Sequence, residues 1–201
     1  VNVTAERRIN LKTDVSAVAG GTAAGAEGSV AKLFINGKRS AYIKDAKVTA
    51  DTVRVIARDF IHGEIQASGV SVEAGLAVGI TTAKIVVGTE TESFLDGADI
   101  TADDLYVLAL FNRNDDGSDA VFKADGKDKK YGFVISGTSS GGSGVAGGSG
   151  LYVTAEINPS VKVYTSGTSG KNALLDIKNT AVFKALRGIV LDVDNTSVNV
   201  A

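Results

Sequence analysis

The chain has no cysteine, no methionine and no tryptophan, a single proline and a single histidine. Without cysteine there is no disulfide, no thiolate metal site and no cysteine nucleophile. The compartment stays open, because oxidising space permits disulfides without requiring them. A lone histidine, His62, leaves no His-based triad and no His-rich zinc site. Aromatic residues are 6% of the chain, so a core must come from Val, Ile, Leu and Ala. The 21 basic residues do not exceed the 23 acidic ones. No basic surplus exists to neutralise phosphates, and nucleic acid is not an expected partner. No apolar run approaches the about 18–20 residues of a membrane helix, so no membrane span is expected. No signal peptide is visible, although a mature form would have lost one. With methionine absent, Val1 is not an initiator, and the expectation is a mature or excised piece of something longer.

What is present is a gapless internal period of 52 residues. Val1, Val3 and Ala5 return as Val53, Val55 and Ala57, and again as Leu105, Val107 and Ala109. Ala31-Lys32 returns as Ala83-Lys84, and Val48-Thr49-Ala50-Asp51 as Ile100-Thr101-Ala102-Asp103. Laying residues 1–52 over 53–104 gives 12 identities, with conservative exchanges such as Leu33/Ile85 and Tyr42/Phe94. A fixed period of this length marks stacked units, each covering its neighbour's apolar face. Val1, Val53 and Leu105 are therefore expected at equivalent, inward-facing strand positions.

Alternating β-branched segments and regular turn residues read as all-β. Residues 101–111 offer the best helix pattern, opened by Thr101-Ala102-Asp103-Asp104. The matching residues 49–57 alternate as a strand does, so both are read as turn, then strand. The domain reading is two repeats, 1–52 and 53–104, leading at 105–110 into a third. Residues 111–201 form that degenerate third repeat, with terminal strands. After Ala109 it inserts residues 112–119 and 124–130, and then the Gly/Ser-rich stretch 136–150, read as a flexible surface loop that can be shortened at little cost. Gly150-Leu151-Tyr152-Val153 echoes Gly75-Leu76-Ala77-Val78, as if the pattern resumed there.

The expected architecture is a parallel β-solenoid (β-helix) built from 52-residue repeats. Equivalent residues would stack about 4.8 Å apart. Coils of roughly 20 residues would give two to three per repeat. A flattened coil using all 52 is the other form. β-Sandwich modules built from meanders are the competing architecture. The residue classes at 53–57, 74–85, 94–99 and 100–107 resemble the Gly/Ala/Val-rich repeats of giant bacterial surface adhesins, of the filamentous-haemagglutinin-like and autotransporter-like kind. The resemblance covers residues 1–110 well and the remainder poorly. It implies an extracellular location and a long β-solenoid stalk.

Chemistry-bearing patterns are sparse. Asn112, Asn114 and Asp116 followed by Gly117 match the first half of a calcium loop. The twelfth position is Lys123 where a bidentate Glu belongs, which favours a plain acidic turn. Asp96, Asp99, Asp103 and Asp104 read as solvated turn charges, with only Asp103 matched one period earlier, by Asp51. His62 reads as a solvated turn residue. Tyr42 and Phe94 read as a core ladder, not an aromatic binding shelf. No catalytic, cofactor-binding or metal residue is assigned. The expected function is a non-enzymatic structural or adhesive segment of an extracellular bacterial surface protein, with a host or surface receptor as partner. The alternatives are a filament or pilus subunit assembled by strand donation and a phage tail or fibre protein. The terminal segments 1–5 and 193–200 are expected to drive end-to-end self-association.

Overall fold

The computed structural model describes residues 1–167 and 170–200, the last six of these by backbone alone. Strands make up 83% of the chain, and no helix occurs among the described residues. The twelve strands in chain order are β1 (Asn2–Gly21), β2 (Ala24–Lys44), β3 (Lys47–Glu73), β4 (Leu76–Asp96), β5 (Asp99–Phe111), β6 (Val121–Ala124), β7 (Lys127–Lys130), β8 (Phe133–Ser143), β9 (Ala146–Ile157), β10 (Ser160–Ser166), β11 (Leu174–Arg187) and β12 (Leu191–Val200). Residues 101–111 thus lie within β5 from Thr101 on, and residues 49–57 lie within β3 without a leading turn.

The long strands pair only in parallel, in two curled sheets. Sheet A holds β1, β3, β5, β8, β11 and β12; sheet B holds β2, β4, β9 and β10. The antiparallel strand pair among the described residues is the short β6–β7. Meanders would pair neighbours antiparallel, so the sandwich alternative does not describe this pairing. The chain runs out along sheet A, reverses, returns along sheet B, and reverses again. One such lap spends 52 residues: Val3 pairs with Val55, Ala31 with Ala83, Tyr42 with Phe94 and Val53 with Leu105. The period read in the sequence is therefore the ladder register itself, and laps of about 20 residues are not formed.

Alternation decides which side chains meet between the sheets. In the second lap the odd-numbered residues point inward. Val53, Val55, Ile61, Ile65, Ile85 and Leu95 are fully buried. Each such aliphatic side chain contributes about 1.5–3 kcal/mol by leaving water. Val1 keeps the register, since its carbonyl accepts from Arg54 N–H at 2.9 Å, yet it is 57% exposed at the outer edge. The expectation of three inward-facing equivalents holds for Val53 and Leu105 but not for a buried Val1.

Near the middle of β3 the inward row is interrupted by charge. Asp59 is fully buried and receives Arg7 through two guanidinium nitrogens, with Nε–Oδ1 at 2.6 Å. Arg7 also donates to the Asn36 carbonyl at 3.3 Å. A Cβ on Gly37, whose φ is +138°, would stand 2.7 Å from the Arg7 guanidinium, so glycine there makes the room. The pair separates two apolar clusters, one around Ile61, Ile65 and Phe133, the other around Val55, Leu95 and Leu105.

Reversals at one end place Asp45 and Gly97, 52 residues apart, both in the left-handed region (φ 49° and 59°). Glycine and a short polar side chain are the residues that tolerate it.

The third lap departs from the period where the sequence inserts residues 112–119 and 124–130, and not at the Gly/Ser-rich stretch. Residues 136–150 are not a loop. They complete β8 and open β9, paired with Gln66–Glu73 and Leu76–Ile80. Their composition follows from a close approach of the two sheets. A Cβ on Gly141 would lie 2.1 Å from the Gly148 carbonyl, and one on Gly79 2.7 Å from the Ser140 carbonyl. The register also places Ala146 beside Leu76 and Leu151 beside Thr81, so the Gly150–Val153 echo is out of step. The insertion is residues 112–132. Between paired positions, the second lap spends Phe60-Ile61-His62 and the fourth Gly188-Ile189-Val190 on the same span.

Candidate interaction surface

The insertion is the part of the molecule that the stacking does not dictate. It leaves sheet A after Phe111 and would abandon the backbone groups of Ile61 in the neighbouring strand. Asn112 replaces them. Its Oδ1 accepts from Ile61 N–H at 2.7 Å and its Nδ2 donates to Ile61 C=O at 3.1 Å. The carboxamide thus does what a peptide group would do there. Asn112 is buried and left-handed (φ 52°), a conformation asparagine tolerates.

The next residues form a compact acidic loop. Asp116 Oδ1 accepts from the Ser118 amide (2.8 Å) and hydroxyl (2.6 Å), which holds its pKa below the ordinary carboxylate value. Asp119 is paired with Lys130 and Arg113, both at 2.5 Å. The Lys130 hydrogen bond leads in lowering its pKa. Asp115 is gripped by Arg58, with three contacts of 2.7–3.0 Å, which ties the loop to the outer face of β3. Asn114 donates to Ser118 and to the Asp119 carbonyl. The carboxamide of Asn112 is consumed by Ile61 and Lys123 lies in β6, so the half-motif Asn112, Asn114, Asp116 does not converge as a calcium loop. No group of three or more His, Asp or Glu side chains suited to a metal occurs among the described residues.

β6 and β7 then make a hairpin whose tip, Asp125-Gly126, has both residues left-handed (φ 52° and 73°). That is the backbone of a type I′ turn, for which Asp-Gly is a favoured sequence. The hairpin lies over the outer face of β3. Phe60 packs on Tyr131 (5.4 Å), Tyr131 on Phe122 (4.9 Å) and Phe122 on His62 (4.7 Å). Arg8 caps Phe60 at 4.6 Å. His62 is therefore not a solvated turn residue: it sits within β3, 7% exposed, and its Nδ1 has no hydrogen-bond partner. Burial lowers its pKa, opposed by Glu64.

Two open clefts flank the Arg58–Asp115 clasp. One, of about 510 Å³, is walled by Glu6, Arg8, Arg58, Phe60 and the acidic loop. The other, of about 360 Å³, has Ile56, Tyr106, Leu108 and Val182 as its apolar walls and Arg54 and Lys184 at its charged rim. Arg54 lies over Tyr106 at 5.0 Å. The surface joins an acidic loop, a lysine-bearing hairpin and a partly apolar cleft.

The opposite face carries the other aromatic feature. Tyr42, Phe94 and Tyr164 stack with centroids 4.9 Å apart and planes within 10°. Tyr42 is 50% exposed, so the ladder lies on the outside of sheet B and not in the core. Stacked faces occupy one another, leaving mainly ring edges to solvent. Beside the ladder, Glu90 lies between Lys38 (3.5 Å) and Lys162 (2.7 Å), and Lys162 leads in lowering its pKa. Lys38 also reaches Glu92 at 2.6 Å.

These ion pairs follow a rule that identical residues at one period do not reveal. Arg7/Asp59, Lys12/Glu64, Lys38/Glu90, Lys44/Asp96 and Lys47/Asp99 are each 52 residues apart and each in contact. Residues 1–52 carry eight basic and five acidic residues, residues 53–104 three and nine. The swap of sign at one period was the available signal. It also disperses the acidic cluster: Asp96 is buried against Lys44, Asp99 faces Lys47 and Asp103 faces Lys178. Asp96 is accordingly not a solvated charge.

No family model, curated protein or solved structure matches the chain. No helix among the described residues is long and apolar enough to cross a membrane.

Proposed function

We propose that the chain is a stretch of parallel β-solenoid serving as a structural and adhesive segment of an extracellular bacterial surface protein. The observation that carries this reading is the unbroken 52-residue register through β1/β3, β2/β4 and β3/β5. A unit that stacks on its own copy by a fixed step is the natural element of a stalk. Cations of one lap set against anions of the next fix that step. The aperiodic hairpin supports the adhesive half of the reading. It lies over the outer face of sheet A, is joined by Asn112 without interrupting its neighbours, and presents charged groups beside a partly apolar cleft. The laps act as spacer and scaffold, and the insertion as the contact element, for which a host or surface receptor is the proposed partner.

The test replaces residues 112–132 with the three-residue connection Phe-Ile-His that the second lap uses at residues 60–62. Both proteins are coupled to beads and offered to epithelial cells and extracellular-matrix coatings. Retained β circular dichroism with lost attachment supports the proposal. Absence of attachment by the full chain, or equal attachment by both proteins, contradicts the adhesive role.

A further inference from the structure

Four acidic side chains are buried among the described residues: Asp59, Glu73, Glu92 and Asp96. Three of them have a cation, Asp59 in Arg7, Glu92 in Lys38 and Asp96 in Lys44. Glu73 has none among the described residues. It is 6% exposed, and its Oε2 has no hydrogen-bond partner. Nor does the chain around it hold a cation. Residues 15–31, 65–83 and 135–153, which build this end of the two sheets, contain no lysine, arginine or histidine. A carboxylate taken out of water without a partner is costly.

The residues around Glu73 make room for its carboxylate. The side chain reaches from β3 into the first lap, between Gly21 of β1 and Gly25 of β2. A Cβ on Gly21 would stand 2.5 Å from Oε2, and one on Gly25 would overlap Oε1. Ser143 lies beside Glu73 in the ladder, and Ser71 lies two residues away on the same inward face. Both hydroxyls are buried and, like Glu73 Oε2, have no hydrogen-bond partner. Three of the six such atoms among the described residues thus gather at one place. The returning strand adds a second carboxylate. Gly69 faces Ser29 and Gly25 faces Glu73, so alternation sets Glu27, inward and half-buried, opposite Ser71.

We propose that Glu73 and Glu27, with the hydroxyls of Ser71 and Ser143, form a calcium site between the sheets. Oxygen donors without nitrogen or sulfur select a hard cation. Two carboxylates balance a divalent charge. Calcium accepts about six to eight oxygens in loose geometry, where magnesium demands an octahedron. The set has two carboxylates and not three, so hydroxyl, carbonyl and water oxygens complete it. It is separate from the half-motif at Asn112–Asp116, whose side-chain oxygens are spent on Ile61 and Ser118. The ion ties the first lap to the second where glycine and serine replace the aliphatic core. Beyond β8 lies β12. The side chains of its residues 195–200, within the segment 193–200 expected to drive self-association, lie outside the described residues and enter none of this. The inference does not rest on the adhesive reading.

The test frees the chain of divalent ions with a chelator and dialysis, then uses calcium chloride alone as the probe. The expected result is one calcium per chain by equilibrium dialysis, with a raised urea midpoint and slower amide exchange in residues 19–29 and 69–75. Glu73→Gln keeps the shape and removes the charge. It is expected to bind no calcium at this site and to show no calcium response in its midpoint. It should also be at least as stable as the metal-free wild type, because the unpaired buried charge is gone. Glu27→Gln is expected to weaken binding by about tenfold or more. Glu90→Gln, on the outside of sheet B between two lysines, should bind as the wild type does. A wild-type chain that binds no calcium, or Glu73→Gln binding it as tightly as the wild type, would overturn the proposal.

Discussion

β5 and β11 are neighbours in one sheet, paired in parallel with a single register shift between Ile177 and Thr180, and alike in their alternating apolar pattern. Val107 in β5 is fully buried; Phe183, beside it in β11, is 41% exposed. Alternation settles which side chains point inward. Whether they are buried depends on the opposing sheet, which covers β5 fully and β11 only in part among the described residues. Inward and buried are separate properties, and here they part company between adjacent strands.

The comparison breaks most sharply under substitution by charge. Val107→Asp places a carboxylate in a sealed apolar row and is expected to cost more than about 5 kcal/mol, enough to prevent folding. Phe183→Asp, measured under conditions where the chain is monomeric, is expected to cost less than about 1 kcal/mol. Urea unfolding followed by circular dichroism checks both, and equal losses would refute the distinction.

Asp59→Ala asks the same of the buried charge near the middle of the inward row. It strands Arg7 between two apolar clusters, and a loss of about 3–5 kcal/mol is expected in the same assay. Replacing Arg7 and Asp59 together by Leu should recover most of it, because the buried charge is then gone.

Asn112→Ala leaves the amide and carbonyl of Ile61 without partners. The expected cost is about 2–4 kcal/mol, with faster hydrogen exchange at the Ile61 amide than in the wild type. An unchanged exchange rate would show that the join is held by something other than the carboxamide.

The smallest effect concerns pH. Burial lowers the pKa of His62, so the unfolded chain binds a proton more readily than the folded one. Stability from this group is fully present above the ordinary imidazole range and is lost as pH falls below about 6.5. Glu64, Lys12, Lys129 and Asp125 line the same pocket. Denaturant midpoints at pH 7.5 and 5.5 should differ less in His62→Phe than in the wild type, to the extent that His62 carries the difference. These values are about one unit either side of that range.

Much of this was open to reading. The period, the all-β class and the parallel pairing of like on like follow from Val3/Val55, Ala31/Ala83 and Val53/Leu105. The ion pairs at one period were equally legible, but as reversals of sign and not as matches. The Asp125-Gly126 turn was a hairpin signal of ordinary strength. What hid the third lap was composition. Gly141 and Gly148 are glycines because the sheets nearly touch there, and a Gly/Ser stretch held by ladder hydrogen bonds looks, in sequence, like one held by nothing. His62 and Tyr42 were misplaced for a related reason. Periodicity tells the register of a strand, but not which outward positions a neighbour covers: the hairpin buries His62, whereas Tyr42, stacked on Phe94, stays half exposed.

The central claim is that one lap of the chain spends 52 residues. Lys32 and Lys84 then lie side by side on adjacent strands. In this cysteine-free chain, Lys32→Cys/Lys84→Cys should oxidise rapidly to an intramolecular disulfide, since neighbouring strands bring Cα atoms about 4.8 Å apart, within the range a disulfide spans. Lys32→Cys/Arg58→Cys, half a period apart, should remain reduced. A disulfide in the second pair and none in the first would mean two shorter laps per period, and would contradict the account.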